Sequence, residues 1–213
     1  MSSRTAVVAG ATGVVGSLVL KGLLARSAWE SVHVLSRRPL NFEHPKLTVH
    51  EVDFAQLDQQ RDLFAVDDVF CCLGTTIDKA GSKEAFRRVD HDYVCNVAEA
   101  AANAGARQFL LVSALGADSA SRWFYSRVKG EAEETISTLP LPATHIFRPS
   151  LLLGAREEKR TGESIAKFLA PLTSPLYVGR LAKYRPVQAA AVAKRMIDVA
   201  KEDKKGTHVH YFD

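Results

Sequence analysis

Short, almost uninterrupted apolar runs alternate with helical patterns along most of this chain of 213 residues. Runs rich in Val, Ile, Leu and Phe predict strands over residues 5–10, 31–36, 47–52, 68–74, 108–114 and 144–150. Helical patterns lie between them, over 14–27, 55–64, 84–104 and 121–138. Strands without polar alternation are typical of a parallel sheet covered on both faces. The order predicts an α/β fold, a doubly wound parallel sheet with helices on both faces.

The rhythm changes after residue 149. The segment 156–172 begins polar and becomes helical, and 172–186 is irregular. A strong helical pattern over 187–202 and a final strand over 207–212 complete the chain. We predict a single domain over 1–213, in which 150–206 forms a small C-terminal cap on the substrate side.

The charge and the cysteines exclude several classes of protein. A net charge of +4 and a pI of about 9.0 suit an anionic ligand, but no Lys/Arg block exceeds two residues, which argues against nucleic-acid binding. Cys71, Cys72 and Cys95 form no CxxC motif, and glycines interrupt the apolar N-terminus, so we predict a reduced chain in the cytoplasm. No apolar stretch is long enough to predict a membrane span. His208 and His210 fit an edge strand better than a metal site, and no metal is predicted.

A glycine triplet follows the first strand and opens the first helix. Gly10, Gly13 and Gly16 have the spacing GxxGxxG. The first glycine permits a tight turn, the second lets backbone approach a pyrophosphate, and the third lets helix and strand pack closely. The helix N-terminus then faces the negative charge. We therefore predict a dinucleotide loop over 10–16, with Thr12, Val14 and Val15 among its binding residues.

The end of the second strand indicates which dinucleotide is bound. An NAD-preferring protein places a carboxylate there for the ribose 2′-hydroxyl. This chain has Ser36, Arg37 and Arg38 instead. A guanidinium can bind a 2′-phosphate through two hydrogen bonds, so we predict NADP(H) in preference to NAD(H).

Several motifs occur in the order found in the short-chain dehydrogenase/reductase superfamily. They are GATGVVG at 10–16, a serine at 113 at the C-terminal end of the fifth strand, and YSRVK at 125–129 on the next helix. With CCLGTT, RVDHDYV and FRPSLLLG, the chain resembles the extended and atypical branches, and most of all a small atypical branch, to about residue 200. The resemblance implies a Rossmann-like fold and a catalytic group of Ser113, Tyr125 and Lys129.

The same resemblance implies further contacts to the cofactor. Asp53 and Phe54 would contact the adenine. Four residues after the fourth strand would follow the inner ribose and the phosphates: Leu73, Gly74, Thr75 and Thr76. Pro149, Ser150 and Leu151 would border the nicotinamide, and Lys129 would bond its ribose hydroxyls. Asp90 stands where many relatives carry Asn, and a carboxylate cannot donate a hydrogen bond as an amide does.

The implied chemistry explains why a tyrosine and a lysine are needed four residues apart. Residues i and i+4 lie on one face of a helix. Hydride transfer to a carbonyl leaves an oxyanion that needs a proton, and an ordinary tyrosine, with a pKa near 10, exchanges one poorly at neutral pH. We expect the Lys129 ammonium to lower the pKa of Tyr125, and Ser113 to hydrogen-bond the substrate oxygen.

Two functions from different classes stay open. The first is an NADP(H)-dependent oxidoreductase that acts on a small carbonyl or alcohol, with an epimerase or dehydratase as a variant that the short cap disfavours. The second is a regulatory protein that senses NADP(H) with little or no turnover. A homodimer through sheet-flanking helices is common among relatives, and the sequence does not decide it.

Overall fold

A computed structural model describes residues 3–153 and 185–212. Seven strands form one sheet: β1 (Arg4–Ala9), β2 (Trp29–Ser36), β3 (Leu47–Glu51), β4 (Asp68–Cys71), β5 (Gln108–Val112), β6 (Ala143–Arg148) and β9 (Gly206–Tyr211). Two short strands, β7 (Leu152–Leu153) and β8 (Val187–Gln188), pair separately. The α-helices are α1 (Val14–Leu24), α2 (Ile77–Ala80), α3 (Lys83–Arg87), α4 (Tyr93–Ala104), α5 (Phe124–Ser137) and α6 (Ala189–Glu202). A 3-10 helix spans Leu57–Phe64, and a π turn, Arg88–Asp92, joins α3 to α4.

All seven strands of the sheet are parallel, in the order β3-β2-β1-β4-β5-β6-β9. The chain builds outward from β1 to β3 and then returns to continue from β4 on the other side. Ligands of such sheets bind outside the carboxyl ends of the strands, where the order reverses. The predicted doubly wound parallel α/β fold is confirmed.

Each central strand sends side chains into two cores, which is why its sequence is apolar without alternation. Val8 and Phe70 pack with α1 and α6 on one face of the sheet. Val7 and Val69 pack with α4 and the 3-10 helix on the other. The two sets of helices therefore cover both faces, as predicted.

Several elements differ from the predictions. The π turn interrupts the helix predicted over 84–104, and α5 begins at Phe124, after the predicted start at 121. The short helix α2 and the β7–β8 pair were not predicted. The predicted cap falls largely on residues 154–184, outside the described residues, and stays a prediction. Within the described ranges, no helix is long and apolar enough to cross a bilayer, and no group of three His, Cys, Asp or Glu side chains is arranged to hold a metal.

Three histidines stack where the edge strand β9 pairs with β6. The His145 Nδ1 lies 3.1 Å from the His210 Nε2, and the His145 ring stacks on His208 at 5.3 Å. Burial, with the neighbouring His210 and His208, lowers the pKa of His145 from 6.5 to about 4. His145 therefore stays neutral in the folded protein at pH values where an unfolded chain would bind a proton.

We expect acid to destabilise the protein through His145. The free energy of unfolding has its full value above pH 6.5. It decreases as the pH falls toward about 4, because His145 binds a proton in the unfolded state before it does so in the folded state. Across that window the free energy of unfolding should fall by up to roughly 3 kcal/mol. Urea titrations at several pH values would measure it. His145→Gln should flatten the slope and His44→Gln should keep it; an unchanged slope in His145→Gln would contradict the assignment.

Candidate active site

The glycine loop occupies the turn between β1 and α1, at the carboxyl edge of the sheet. Gly10 has a φ of +85°, and the Gly13 amide donates to the Gly10 carbonyl at 2.9 Å. A Cβ on Gly10 would lie 2.5 Å from the Cys72 carbonyl oxygen, and one on Gly16 would lie 2.1 Å from the Gly10 oxygen. Only glycine fits these two positions. The loop and α1 thus take the close packing that a dinucleotide loop needs, with Thr12 exposed and Val14 half-buried at the start of the helix. The Val15 side chain packs into the core, so this residue could meet a ligand only through its backbone.

The turn after β2 lies beside that loop, because β2 is the neighbour of β1. Ser36 ends the strand, and its hydroxyl oxygen accepts from the Arg38 backbone amide at 3.3 Å. Arg37 and Arg38 are exposed. The two guanidinium groups are therefore open to an anionic ligand at this edge.

The two residues predicted to contact the adenine, Asp53 and Phe54, differ in their exposure. Asp53 is exposed and accepts from the Ala55 amide at 2.9 Å. Phe54 is only 3% exposed and packs in the core against Tyr93. The Phe54 side chain is thus not available to a ligand, because its ring fills the space between β3 and α4.

The loop after β4 runs between the glycine loop and α5. Gly74 and Thr76 are exposed, and Leu73 and Thr75 are half-buried. The Thr76 hydroxyl caps α2 by accepting from the Lys79 amide. A Cβ on Gly74 would lie 3.7 Å from the Lys129 Nζ, so this loop contacts the predicted catalytic group.

Tyr125 and Lys129 lie on the first turns of α5 in different environments. Tyr125 is 37% exposed, and its ring packs on the buried Phe86 at 5.4 Å between centroids. Lys129 is 6% exposed, and its Nζ lies 2.7 Å from the Asp90 Oδ1. An accessible phenol beside a buried ammonium is the arrangement that the sequence predicted.

Lys129 acts on the pKa of Tyr125 in the expected direction, but the net shift is the opposite one. Burial raises the pKa of Tyr125 above its ordinary 10.0, Lys129 only partly opposes it, and Asp90 adds to the increase. Burial also disfavours the charged form of Lys129, but Asp90 and Tyr125 outweigh it and raise the pKa of that amine. The resting site therefore holds a protonated phenol next to an ammonium paired with a carboxylate.

Ser113 follows β5 as predicted, but its hydroxyl proton is already engaged. It donates to the Glu133 carboxylate on α5, and Glu133 is held by Arg148, whose Nε lies 3.1 Å from Oε2. The predicted hydrogen bond from Ser113 to a substrate oxygen would need this hydroxyl to turn. Arg148 thus fixes the position of Glu133.

The segment after β6 completes the edge. Pro149 is buried, and Ser150 and Leu151 are half-buried. The Pro149 carbonyl accepts from the Leu115 amide, and the Leu151 carbonyl accepts from the Val187 amide that begins β8. The structure thus brings the predicted residues to one edge of the sheet, with Phe54 and Val15 turned into the core.

Comparison with known proteins agrees with this geometry. A protein family described as NAD(P)H-binding matches residues 10–203. The chain belongs to this family. Protein HTATIP2 of Rattus norvegicus is 40% identical over 171 residues, which cover 78% of this chain and 70% of that protein. Protein FMP52, mitochondrial, of Candida albicans is 35% identical over 203 residues, 92% of this chain and 88% of that protein. The resemblance to the short-chain dehydrogenase/reductase superfamily and its small branch is confirmed.

Solved structures at low identity share the fold. The Bordetella bronchiseptica enzyme WbmH in complex with NAD+ superposes with a TM-score of 0.74 at 15% identity, over 99% of this chain and 76% of that one. A UDP-glucose 4-epimerase from Thermotoga maritima gives 0.69 at 14%, over 97% and 76%. At such identities the likeness shows the fold alone.

The relatives correct the predicted location. Proteins 34% and 35% identical to this chain, from Debaryomyces hansenii and Candida albicans, are named mitochondrial. The prediction of a cytoplasmic location is therefore wrong. Its basis was too weak, since free cysteines argue against the secretory route and do not distinguish the cytoplasm from an organelle.

Sequence reasoning missed two partners of the predicted catalytic residues. Asp90 pairs with Lys129, and Glu133 accepts from Ser113. Glu133 gave a usable signal: it lies four residues after Lys129, so it shares that face of α5. Asp90 gave none for pairing, because the π turn that directs it inward has no sequence signature.

Proposed function

We propose that this protein is an NADP(H)-dependent oxidoreductase of the short-chain dehydrogenase/reductase type, acting on a small carbonyl or alcohol. One observation carries the proposal: the partly exposed Tyr125 lies one helical turn from the buried Lys129, at the sheet edge that also holds the glycine loop. A membership in an NAD(P)H-binding family supports it.

The residues present fit a dinucleotide. Gly10 and Gly16 leave no room for a side chain, so backbone forms the surface that a pyrophosphate would meet. The amides at the start of α1 have no partners within the helix and would bind the phosphates. Bound NADPH would supply a hydride to the carbonyl carbon.

The chain's own residues would then complete the reduction. The Tyr125 hydroxyl donates its proton to the carbonyl oxygen, so that the C=O double bond becomes a C–O single bond with a new C–H bond on carbon and a new O–H bond on oxygen. Lys129 stabilises the phenolate that remains, until solvent returns the proton. Ser113, once turned from Glu133, would orient the substrate oxygen. In the oxidation direction each transfer reverses.

The arginines after β2 should set the cofactor preference. We expect Arg37→Ala/Arg38→Ala to weaken NADPH binding by about a hundredfold or more, since each charge-assisted hydrogen bond contributes roughly 1.5–3 kcal/mol and the variant removes both guanidinium groups. NADH binding should change little, because NADH lacks the 2′-phosphate. Fluorescence titration of both cofactors would measure this. The control is Arg26→Ala, because the Arg26 guanidinium donates to the Gly22 carbonyl near the other end of α1. A wild-type preference for NADH would refute the proposal.

A second function is favoured by the resting state of the site. The Ser113 proton is engaged by Glu133, so this hydroxyl is not available to a substrate oxygen until it turns. This state suits a regulatory protein that senses NADP(H). Oxidation of NADPH against a panel of aldehydes and ketones separates the two. Turnover with any of them supports the oxidoreductase, whereas tight NADPH binding without turnover supports the sensor.

A further inference from the structure

Asp90 links two parts of the candidate site that are distant in sequence. It lies in the π turn Arg88–Asp92 and is 1% exposed. Its Oδ2 accepts from the Thr75 backbone amide at 2.8 Å, and its Oδ1 lies 2.7 Å from the Lys129 Nζ. One buried carboxylate thus holds the loop after β4 and the ammonium on α5.

The π turn explains how this side chain reaches the interior. An extra residue in a helical turn shifts the faces of the residues that follow, and such turns occur frequently at functional sites. Tyr93, Val97 and Ala101 then continue along α4 toward the core. Asp90 is left pointing at the Lys129 Nζ on α5, with Gly74 of the loop after β4 beside its Oδ1.

The charges around Tyr125 come from two elements. Lys129 faces it from its own helix and Asp90 from the π turn, while α3 contributes the uncharged ring of Phe86. On the β4 side the buried Cys71 thiol interacts with Lys129 and Asp90, and burial raises its pKa to about 12, so it is neutral at physiological pH. Among the described residues, Lys129 and Asp90 are the charges that shift the pKa of the phenol.

We propose that Asp90 is a positioning residue, which anchors the Lys129 ammonium to the loop after β4 and determines the protonation state in which the site holds Tyr125. This inference rests on the proposed function. An asparagine at the same place would leave the ammonium uncompensated, and an uncompensated ammonium favours the phenolate. The carboxylate offsets that charge, so the phenol keeps its proton and is ready to donate it to a carbonyl oxygen. Asp90, in the place where many relatives carry Asn, thus suits the site to the reduction of a carbonyl.

The test is Asp90→Asn, with Asp92→Asn as the matched control. Both remove one negative charge from the same turn, but Asp92 is half-exposed and pairs with His91. Tyrosines labelled with ¹³C at Cζ report ionisation by NMR, and Tyr125 is the resonance missing from Tyr125→Phe. We expect the titration midpoint of Tyr125 to move to lower pH in Asp90→Asn and to stay in place in Asp92→Asn. An unmoved midpoint in Asp90→Asn would overturn the proposal.

Activity gives the second readout. A failure of the proposal for Asp90 can be distinguished from a failure of the proposed function. In Asp90→Asn the alkaline limit of carbonyl reduction should move to lower pH together with the NMR midpoint. If the wild-type protein reduces no carbonyl, the proposed function fails, and the NMR titration still tests Asp90. If Asp90→Asn does not fold, Asp90→Ser, which keeps an oxygen near the Thr75 amide, is titrated in its place, and an unmoved Tyr125 midpoint in that variant would overturn the proposal.

Discussion

Tyr125→Phe should lower kcat for carbonyl reduction by about 10²- to 10⁴-fold, the usual contribution of a positioned general acid. The change removes one hydroxyl and keeps the ring, which packs on Phe86 at 5.4 Å. The fold and the affinity for NADPH should therefore stay close to wild type. Steady-state kinetics with a substrate found in the carbonyl panel, together with a binding titration, would measure both quantities.

Tyr93→Phe is the matched control for this experiment. Tyr93 is half-buried and packs on Phe54, with 5.8 Å between the ring centroids. It has no proposed catalytic contact. Removing its hydroxyl should leave kcat within about twofold of wild type, as for substitutions away from the reacting atoms. A Tyr125→Phe protein with wild-type kcat would show that another group supplies the proton.

Asp68→Ala should destabilise the fold by about 3–5 kcal/mol, because it removes the buried partner of the Arg4 guanidinium and leaves it only the half-exposed Asp203. Asp68 is fully buried at the amino end of β4 and binds Arg4 through both oxygens, at 2.8 and 2.9 Å. It also accepts from the Trp29 indole at 2.7 Å and from the Gln108 amide at 2.6 Å. Gln108 in turn donates to the Ala200 carbonyl, which ties the end of α6 to the sheet.

Urea unfolding would measure this effect against Asp198→Ala. Asp198 lies on the surface of α6 and pairs with Lys194 and Lys201. Exposed pairs contribute little, so this control should lose less than about 1 kcal/mol. Equal losses in the two variants would mean that the buried network does not hold the sheet together.

The fold could be predicted because its signals are local. A continuous apolar run such as β5 indicates a strand that is buried on both faces. The glycines at 10 and 16 are required because a Cβ there would lie 2.5 and 2.1 Å from backbone oxygens. The breaks in that pattern were not predictable. The π turn at Arg88–Asp92 lies inside a sequence with good helical periodicity, and its position depends on what packs against it.

The site was predictable in position and only partly in chemistry. Spacing placed Tyr125 and Lys129 on one helix face, but it could not show that burial and Asp90 together outweigh Lys129 in setting the pKa of the phenol. That balance depends on a residue 35 positions earlier in the chain (90 against 125), brought close by the tertiary fold. Ser113 likewise followed from its strand end, whereas its bond to Glu133 depends on how α5 packs beside β6.

In the proposed reaction, bound NADPH gives a hydride and Tyr125 gives a proton to a carbonyl. Isotope transfer tests this reaction most directly. NADPH carrying deuterium at the nicotinamide C4 would be incubated with a carbonyl substrate, and the product alcohol analysed by mass spectrometry. We expect deuterium on the carbinol carbon with the wild-type protein and almost none with Tyr125→Phe. Bound NADPH that delivers no deuterium to any carbonyl in the panel would contradict the account.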